Sequence, residues 1–180
     1  MRRITIPPGV DRFDERFDRL WEHVRGNPKV DRVFYTASEA GDFAMIWMAL
    51  AGIQGAVGSP TQTRHFLRVA GALAAESVIV NGGIKSLFRR QRPPWDQSRP
   101  LTLRQPKTSS FPSGHASSAV TAAILLTDAN ATLAPLWWTL AALVGMSRVH
   151  VKIHHVSDVA GGIVAGALIG TLAKALLPVD

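Results

Sequence analysis

The sequence lacks cysteine altogether and has few charged residues. Because none of its 180 residues is cysteine, disulfide bonds, thiolate nucleophiles and thiolate metal ligands are excluded. Only 18% of the residues are charged, and they are bunched instead of spread as on the surface of a soluble protein. The start of the chain also lacks the apolar stretch of a signal peptide, since Pro7 and Pro8 interrupt it, so we expect the N-terminus to be retained.

The charge that is present is mainly positive. The formal net charge is +7 and the isoelectric point is about 10.8. Such an excess suits nucleic acid, an anionic membrane surface or a phosphorylated substrate. Since long apolar runs separate the basic clusters, we expect no nucleic-acid partner.

Apolar runs dominate the chain from residue 43 onward. Hydrophobic residues make up 47% of the sequence, and five runs cover residues 43–57, 66–84, 116–127, 133–146 and 159–178. A transmembrane helix needs about 20 apolar residues, so the third and fourth runs either begin below the headgroups or lie inside the bundle. The pattern predicts an all-α fold, an integral membrane helical bundle with about five transmembrane helices in the bilayer of a bacterial cell membrane.

Residues 10–25 predict an amphipathic helix ahead of this bundle. Five apolar side chains fall at helical spacing on one face, namely Phe13, Phe17, Leu20, Trp21 and Val24. Such a helix either packs on the rest of the protein or lies on lipid headgroups, and the sequence favours neither. We therefore divide the chain into an N-terminal segment, residues 1–41, and a transmembrane catalytic domain, residues 42–180.

Three glycines recur at every fourth residue of the last apolar run. Gly162, Gly166 and Gly170 form a stripe of small residues, which in lipid lets two helix backbones approach closely. We expect this face to pack against a neighbouring helix.

The longest interior stretch outside the apolar runs covers residues 85–115. Its prolines, at positions 93, 94, 100, 106 and 112, predict a loop. The stretch opens with a basic cluster from Lys85 to Arg92, where the second apolar run ends. Taken alone, cations at a helix end usually extend toward the lipid headgroups.

A second polar cluster lies directly before the third apolar run. Ser113 suits the N-cap of a helix, and Gly114 exposes backbone N–H groups that can hold an anion at the positive end of that helix. His115 adds a titratable imidazole beside this pocket.

A third cluster, residues 147–158, separates the last two apolar runs. Arg148 can bind a phosphate through two N–H groups. Asp158, four residues after His154, can accept a hydrogen bond from one ring nitrogen and so fix the tautomer of the imidazole. The other nitrogen is then free to attack phosphorus.

Together the three clusters resemble the signature of the type 2 phosphatidic acid phosphatase (PAP2) superfamily, which also includes vanadium haloperoxidases and bacterial acid phosphatases. The pattern K-x6-R-P, P-S-G-H and S-R-x5-H-x3-D is met by Lys85, Arg92-Pro93, Pro112 to His115, Ser147-Arg148, His154 and Asp158. The x5 spacing selects His154 over His155 and over His150, which we expect at the pocket wall. In size the chain also resembles the actinobacterial phosphatases of decaprenylphosphoryl-phosphoribose phosphate.

The resemblance implies a lipid phosphate phosphatase that works through a phosphohistidine. His154 would be the nucleophile, His115 the general acid and base, and Asp158 the residue that orients His154. The phosphate would be bound by the remaining site residues, Lys85, Arg92, Ser113, Gly114 and Arg148. No cofactor or metal is implied, because three cationic side chains supply the positive charge.

The motifs leave the substrate as a class. It includes phosphatidic acid, phosphatidylglycerol phosphate, a polyprenyl phosphate or pyrophosphate, and a polyprenyl-linked sugar phosphate. Whether the chain forms a homo-oligomer is also left open.

Two other functions are weighed against this one. His150, His154 and Asp158 would share one face of a helix, which could bind a metal in a transporter or metalloenzyme. That interpretation leaves Lys85, Arg92 and Arg148 unexplained. A haloperoxidase would hold vanadate with the same residues, but the apolar runs on both sides favour a lipid substrate.

The distribution of Lys and Arg predicts the orientation in the membrane. If five helices cross, the N-terminal segment and both polar stretches, residues 85–115 and 147–158, lie on one side. That side carries 17 of the 20 Lys and Arg residues, and the other side carries three. By the positive-inside rule the active site would face the cytoplasm.

Overall fold

The computed structural model describes residues 4–57, 59–94, 103–104 and 106–179. Seven helices carry the fold within these ranges: α1 (Pro8–Trp21), α2 (Pro28–Ala40), α3 (Met45–Val57), α4 (Pro60–Leu87), α5 (Gly114–Ala129), α6 (Ala134–His150) and α7 (Val156–Leu176). Short 3₁₀ turns lie at Glu22–Val24, Asp42–Ala44 and Ala131–Leu133. Apart from one isolated bridge between Ile4 and Phe88, the regular structure in the described ranges is helical, which confirms the predicted all-α class.

Helix α5 lies at the centre of the bundle. It packs against α4, α6 and α7, and its central residues are almost fully buried. The core around it combines apolar side chains from α3, α4 and α6 with alanines and leucines of α5: Trp47, Val69, Leu73, Trp137, Val144, Ala119, Ala122, Ala123, Leu125 and Leu126. Because α5 is enclosed on all these sides, its N-terminus is held at a fixed place in the fold.

The predicted close packing of the glycine stripe is confirmed. A Cβ atom on Gly162 would lie 2.4 Å from the carbonyl oxygen of Ser113, and one on Gly166 would lie 2.3 Å from that of Ser117. Helices α5 and α7 therefore approach to backbone contact. As a result, the amino ends of both helices, which carry two of the three motifs, lie side by side.

Two helices, α4 and α7, are long and apolar enough to cross a membrane among the described residues. Helices α3, α5 and α6 have 13, 16 and 17 residues, so each is shorter than a full span. The outer face of α7 exposes Val164, Leu168 and Leu172, as expected for a surface in contact with lipid. These features fit a membrane protein, and the count of five crossing helices stays a prediction.

The predicted loop at 85–115 begins three residues later than expected. Residues Lys85–Leu87 continue α4, which they join through a π-helical stretch at Val78–Ile84. Within the rest of the loop, residues 95–102, including Pro100, lie outside the described residues.

The amphipathic helix α1 packs on the bundle by one part of its apolar face. Phe17 lies against the buried cluster of Ala116, Val149 and Val159. Phe13 and Leu20 remain 57% and 66% exposed, so the same helix also presents apolar surface outward. Helix α2, which the sequence patterns did not reveal, packs along α6.

Candidate active site

A cavity of about 600 Å³ lies where α4 and α6 end and α5 begins. Six of the eight predicted site residues line it, namely Lys85, Arg92, Gly114, His115, Arg148 and His154. The other two, Ser113 and Asp158, are fully buried behind its wall. The fold therefore brings together motif residues that are up to 69 positions apart, from Lys85 to His154.

A tight turn at the end of α6 places His154. The backbone N–H groups of Ile153 and His154 both donate to the carbonyl of Arg148 at 3.0 Å, so the chain folds back over the last turn of the helix. Lys152 adopts a left-handed conformation with φ of 51°. The fully buried side chain of Ile153 anchors the turn against Tyr35.

The surroundings of His154 determine which ring nitrogen carries the proton. Its Nε2 lies 3.2 Å from Nη1 of Arg92, and a guanidinium can only donate, so Nε2 is the acceptor and carries the lone pair of the ring. The proton then resides on Nδ1, which lies 3.5 Å from Oδ2 of Asp158. Burial lowers the pKa of His154 to about 3, so the imidazole is neutral. A neutral imidazole with its lone pair on Nε2 is the form that can attack phosphorus.

Asp158 is held through both of its carboxylate oxygens. Oδ2 accepts from the backbone N–H of His155 at 2.9 Å, and Oδ1 accepts from Nη1 of Arg90 at 2.5 Å. The carboxylate lies in the first turn of α7, where the helix dipole favours negative charge. Its orientation toward His154 is therefore fixed from two directions.

Among the described residues, five cationic side chains line the cavity: Lys85, Arg92 and Arg148 of the motifs, and Arg104 and Lys107 of the loop. Lys85 is 8% exposed and donates from Nζ to Asn81 at 2.8 Å, while Arg148 is 3% exposed and donates from Nη1 to the hydroxyl of Ser38. Arg92 is tied to the turn by a 3.0 Å hydrogen bond from its Nη1 to the carbonyl of Ile153. Cations that are this little hydrated can stabilise an anion strongly.

Loop carbonyls hold Arg92 in a preorganised position. Its Nε donates to the carbonyl of Pro106 at 3.0 Å, and its Nη2 donates to the carbonyls of Thr108 and Ser109 at 3.3 Å. The predicted loop thus returns to the site and orients this guanidinium. Such preorganisation lowers the reorganisation needed when a phosphate binds.

His115 lies in the first turn of α5, with its Nε2 3.0 Å from Oδ1 of Asp42. Asp42 belongs to the 3₁₀ turn between α2 and α3. Burial lowers the pKa of His115 to about 4, and the hydrogen bond with Asp42 opposes that shift. The imidazole in turn lowers the pKa of Asp42, so this carboxylate is ionised and, together with a bound phosphate anion, stabilises a proton on His115. This arrangement suits a general acid.

Ser113 and Gly114 form the junction on which the site is built. The Ser113 hydroxyl accepts from the backbone of Ala116 at 3.4 Å, and its N–H donates to the carbonyl of Asp158 at 2.9 Å. A Cβ on Gly114 would lie 2.7 Å from Oδ1 of Asn81, so this position permits α4 and α5 to approach closely. Ser113 serves as the helix cap, and its contact with a phosphate stays a prediction.

His150 does not line the cavity, contrary to expectation. Its Nε2 lies 2.8 Å from Asp31, its Nδ1 accepts from Trp21 at 3.3 Å, and its ring stacks on Phe34. Because residues 151–155 form a turn and not a helix, His150 and His154 do not share a face as the metal-site alternative requires. Among the described residues, no group of three His, Asp or Glu side chains could hold a metal ion.

Sequence reasoning missed several polar residues in and around the site. Asp42 and Ser38 contact His115 and Arg148, and Arg90 joins Asp158 to Asp14 of α1. Glu76 lines the cavity at 2% exposure. Of the missed residues that line or contact the site, Asn81 alone had a local signal, since it precedes Lys85 by one helical turn.

Comparison with known proteins shows which family the chain belongs to. The family model of the PAP2 superfamily matches residues 65–179. The decaprenylphosphoryl-5-phosphoribose phosphatase of Mycobacterium tuberculosis is 37% identical over 136 residues, which is 75% of this chain and 73% of that protein. The enzyme of the same name from Mycolicibacterium smegmatis is 36% identical over 141 residues, or 76% of this chain and 73% of that one.

A solved structure shares the fold. The transmembrane PAP2 type phosphatidylglycerolphosphate phosphatase from Bacillus subtilis superposes with a TM-score of 0.74 and covers 94% of this chain and 87% of its own, at 24% identity. The family model extends over more than half of the chain, and the two relatives described above are named phosphatases. The chain therefore belongs to the PAP2 superfamily and is a phosphoric ester hydrolase.

Proposed function

We propose that this enzyme removes the terminal phosphate from a polyprenyl-linked sugar phosphate, through a phosphohistidine formed on His154. The relatives named for decaprenylphosphoryl-5-phosphoribose support the choice within the lipid phosphate class. Phosphatidic acid, phosphatidylglycerol phosphate and polyprenyl pyrophosphate are the competing substrates.

The observation that carries the proposal is the composition of the cavity wall. The lining combines the cations and both histidines with apolar side chains, among them Met48, Ala70, Leu73 and Ala74. A lipid phosphate needs both kinds of surface, because its head is a multiply charged anion and its chain is apolar.

In the first step His154 displaces the lipid alcohol. Nε2 attacks phosphorus in line as the P–O bond to the substrate breaks, and His115 gives its proton to the departing oxygen. Lys85, Arg92 and Arg148 neutralise the phosphoryl oxygens during the transfer. The imidazole becomes positively charged, and Asp158 stabilises that charge next to Nδ1.

In the second step water releases the phosphate. His115, now neutral, accepts a proton from the water as its oxygen attacks phosphorus. The P–N bond breaks, inorganic phosphate leaves, and His154 returns to its neutral form. One water is consumed, and His115 ends protonated as it began.

The test is phosphate release in detergent from a panel of the four substrates, with His154→Ala as the control. Preference for the sugar phosphate, by kcat/KM, supports the proposal. Preference for phosphatidic acid or phosphatidylglycerol phosphate would exclude the sugar head group but leave the mechanism intact. Full activity of the His154→Ala variant would contradict the mechanism.

We also propose that the active site faces the cytoplasm, since the loop end of the bundle carries most of the Lys and Arg residues. The chain has no cysteine, so single cysteines can be placed at exposed Gln91 near the site and at exposed Thr63 at the start of α4. An impermeant thiol reagent added to intact cells should label Thr63→Cys and not Gln91→Cys. The reverse pattern would contradict this orientation.

A further inference from the structure

Helix α1 lies outside the part of the chain that matches the family model, residues 65–179. Nevertheless it supplies a carboxylate to the interior. Asp14 is 3% exposed, although the charged positions of an amphipathic helix ordinarily face solvent. Burying a carboxylate is unfavourable unless it is paired and hydrogen-bonded, so this position requires a partner.

The partner of Asp14 is Arg90, which also holds the catalytic carboxylate. Nη1 of Arg90 donates to Oδ1 of Asp158 at 2.5 Å and to the hydroxyl of Ser157 at 2.7 Å, and Nη2 donates to Oδ2 of Asp14. The side chain of Arg90 is 5% exposed and that of Asp158 is fully buried. One guanidinium therefore bridges a carboxylate of α1 and a carboxylate of α7.

Ser157 closes the network. Its backbone N–H donates to Oδ1 of Asp14 at 2.9 Å, and its hydroxyl donates to Oδ2 of Asp14 at 2.6 Å. Both carboxylate oxygens of Asp14 thus accept hydrogen bonds from Ser157 in the first turn of α7, and Oδ2 also accepts one from Arg90, which contacts that turn. Five hydrogen bonds therefore couple the position of α1 to that of Asp158. Hydrogen bonds between charged groups are directional, whereas apolar contacts would allow the two helices to slide past each other.

We propose that Asp14 and Arg90 are positioning residues for catalysis, so that α1 is part of the catalytic unit. The proposal rests on the proposed role of His154 as nucleophile. If Arg90 is removed, Oδ1 of Asp158 stays buried but loses its hydrogen-bond donor. The carboxylate would then rotate or bind a proton. Either change removes the acceptor that keeps the proton of His154 on Nδ1 and the lone pair on Nε2.

Asp11 provides the matched control. It accepts from the same nitrogen of Arg90 at 3.0 Å, but its side chain is 54% exposed. Because the Asp11 carboxylate is solvated, its ion pair contributes less than that of a buried carboxylate. Asp11→Asn and Asp14→Asn therefore remove the same charge from the same helix and differ in the burial of the carboxylate.

The experiment measures the rate of phosphohistidine formation per active site in a single turnover, together with KM, in the full-length protein. Asp14→Asn should lower this rate about tenfold or more, as loss of an outer partner of an active imidazole does, with KM almost unchanged. Asp11→Asn should stay within about twofold of the unmutated enzyme. An Asp14→Asn variant that melts at a lower temperature but reacts at the full rate would show a structural role alone and overturn the proposal.

Chemical rescue provides the second measurement. Arg90→Ala should lose about a hundredfold in rate, and millimolar guanidinium chloride should restore a large part of it, whereas sodium chloride at the same ionic strength should not. Absence of rescue, or a defect confined to KM, would overturn the positioning role. Failure of the unmutated enzyme to form phosphohistidine would instead overturn the proposed function, so the two failures are distinguishable.

Discussion

Nε2 of His115 lies 3.0 Å from Oδ1 of Asp42, a residue outside all three motifs. The pair joins the first turn of α5 to the 3₁₀ turn between α2 and α3, so it also ties the N-terminal helices to the catalytic end of the bundle. An ionised carboxylate at this distance stabilises a protonated imidazole, which is the form that a general acid needs.

Asp42→Asn should therefore weaken the acid step. We expect kcat to fall about tenfold or more for an alkyl phosphate, whose leaving group needs the proton, and much less for an aryl phosphate. The measurement is the ratio of the two kcat values in detergent. Glu39→Gln, at an exposed position one helical turn earlier, should leave the ratio unchanged. An equal loss for both substrates would contradict the role of Asp42.

Gly162→Ala should disrupt the junction between α5 and α7. The added methyl would lie 2.4 Å from the carbonyl oxygen of Ser113, so a backbone must shift, at a cost of about 1–3 kcal/mol. Gly71→Ala in α4 is the control, because a Cβ there meets nothing within 4 Å and alanine favours a helix by up to about 1 kcal/mol. Thermal unfolding in detergent should show a lower melting temperature for the first variant only. Equal melting temperatures would show that α5 and α7 can move apart without loss of stability, which would contradict this prediction.

The pH dependence should reflect the buried imidazole. The pKa of His154 is lowered from 6.5 to about 3 by burial, so the neutral nucleophile persists as the pH falls and is lost only when the pH approaches the lowered value. We expect kcat/KM to show no loss attributable to His154 near pH 6.5. The measurement uses two substrates whose phosphates have different pKa values, because a titration of the substrate then differs between them and a titration of the enzyme does not. A loss of kcat/KM centred at pH 6.5 with both substrates, at a pH that shifts in the Arg92→Lys variant, would contradict this prediction.

The same shift affects folding stability. An unfolded chain binds a proton on this histidine below about pH 6.5, whereas the folded protein does not until about pH 3. The stability that His154 contributes is therefore complete above pH 6.5 and is lost as the pH falls below it. His154→Asn should reduce the acid sensitivity of the melting temperature, and an unchanged sensitivity would contradict the buried neutral state.

The sequence predicted the elements of the site that are encoded by spacing. The x5 interval singled out His154, and the fourfold glycine repeat predicted the close approach of α5 and α7, because both patterns are local and periodic. Helices α3, α5, α6 and α7 begin within three residues of the predicted apolar runs, and α4 begins six residues earlier. Local patterns thus located the bundle helices but missed α2, and the role of His154 stays a prediction.

Contacts between distant residues could not be predicted in this way. Asp14 and Asp158 are joined through Arg90 across more than half of the chain, and an acidic residue on an amphipathic helix looks like any solvated charge. His150 lies beside Asp31 of an unpredicted helix, a contact that its position in the sequence does not indicate. Such contacts depend on tertiary packing and produce no periodic pattern in the sequence.

The most direct test of the account is to identify the phosphorylated residue. The enzyme is mixed with labelled substrate and quenched in alkali, in which phosphohistidine survives, and the labelled peptide is mapped by mass spectrometry. We expect phosphate on His154, with labelling lost in His154→Asn and retained in His155→Asn, where asparagine can still cap α7. Turnover by His154→Asn at the normal rate, or phosphate on any other residue, would contradict it.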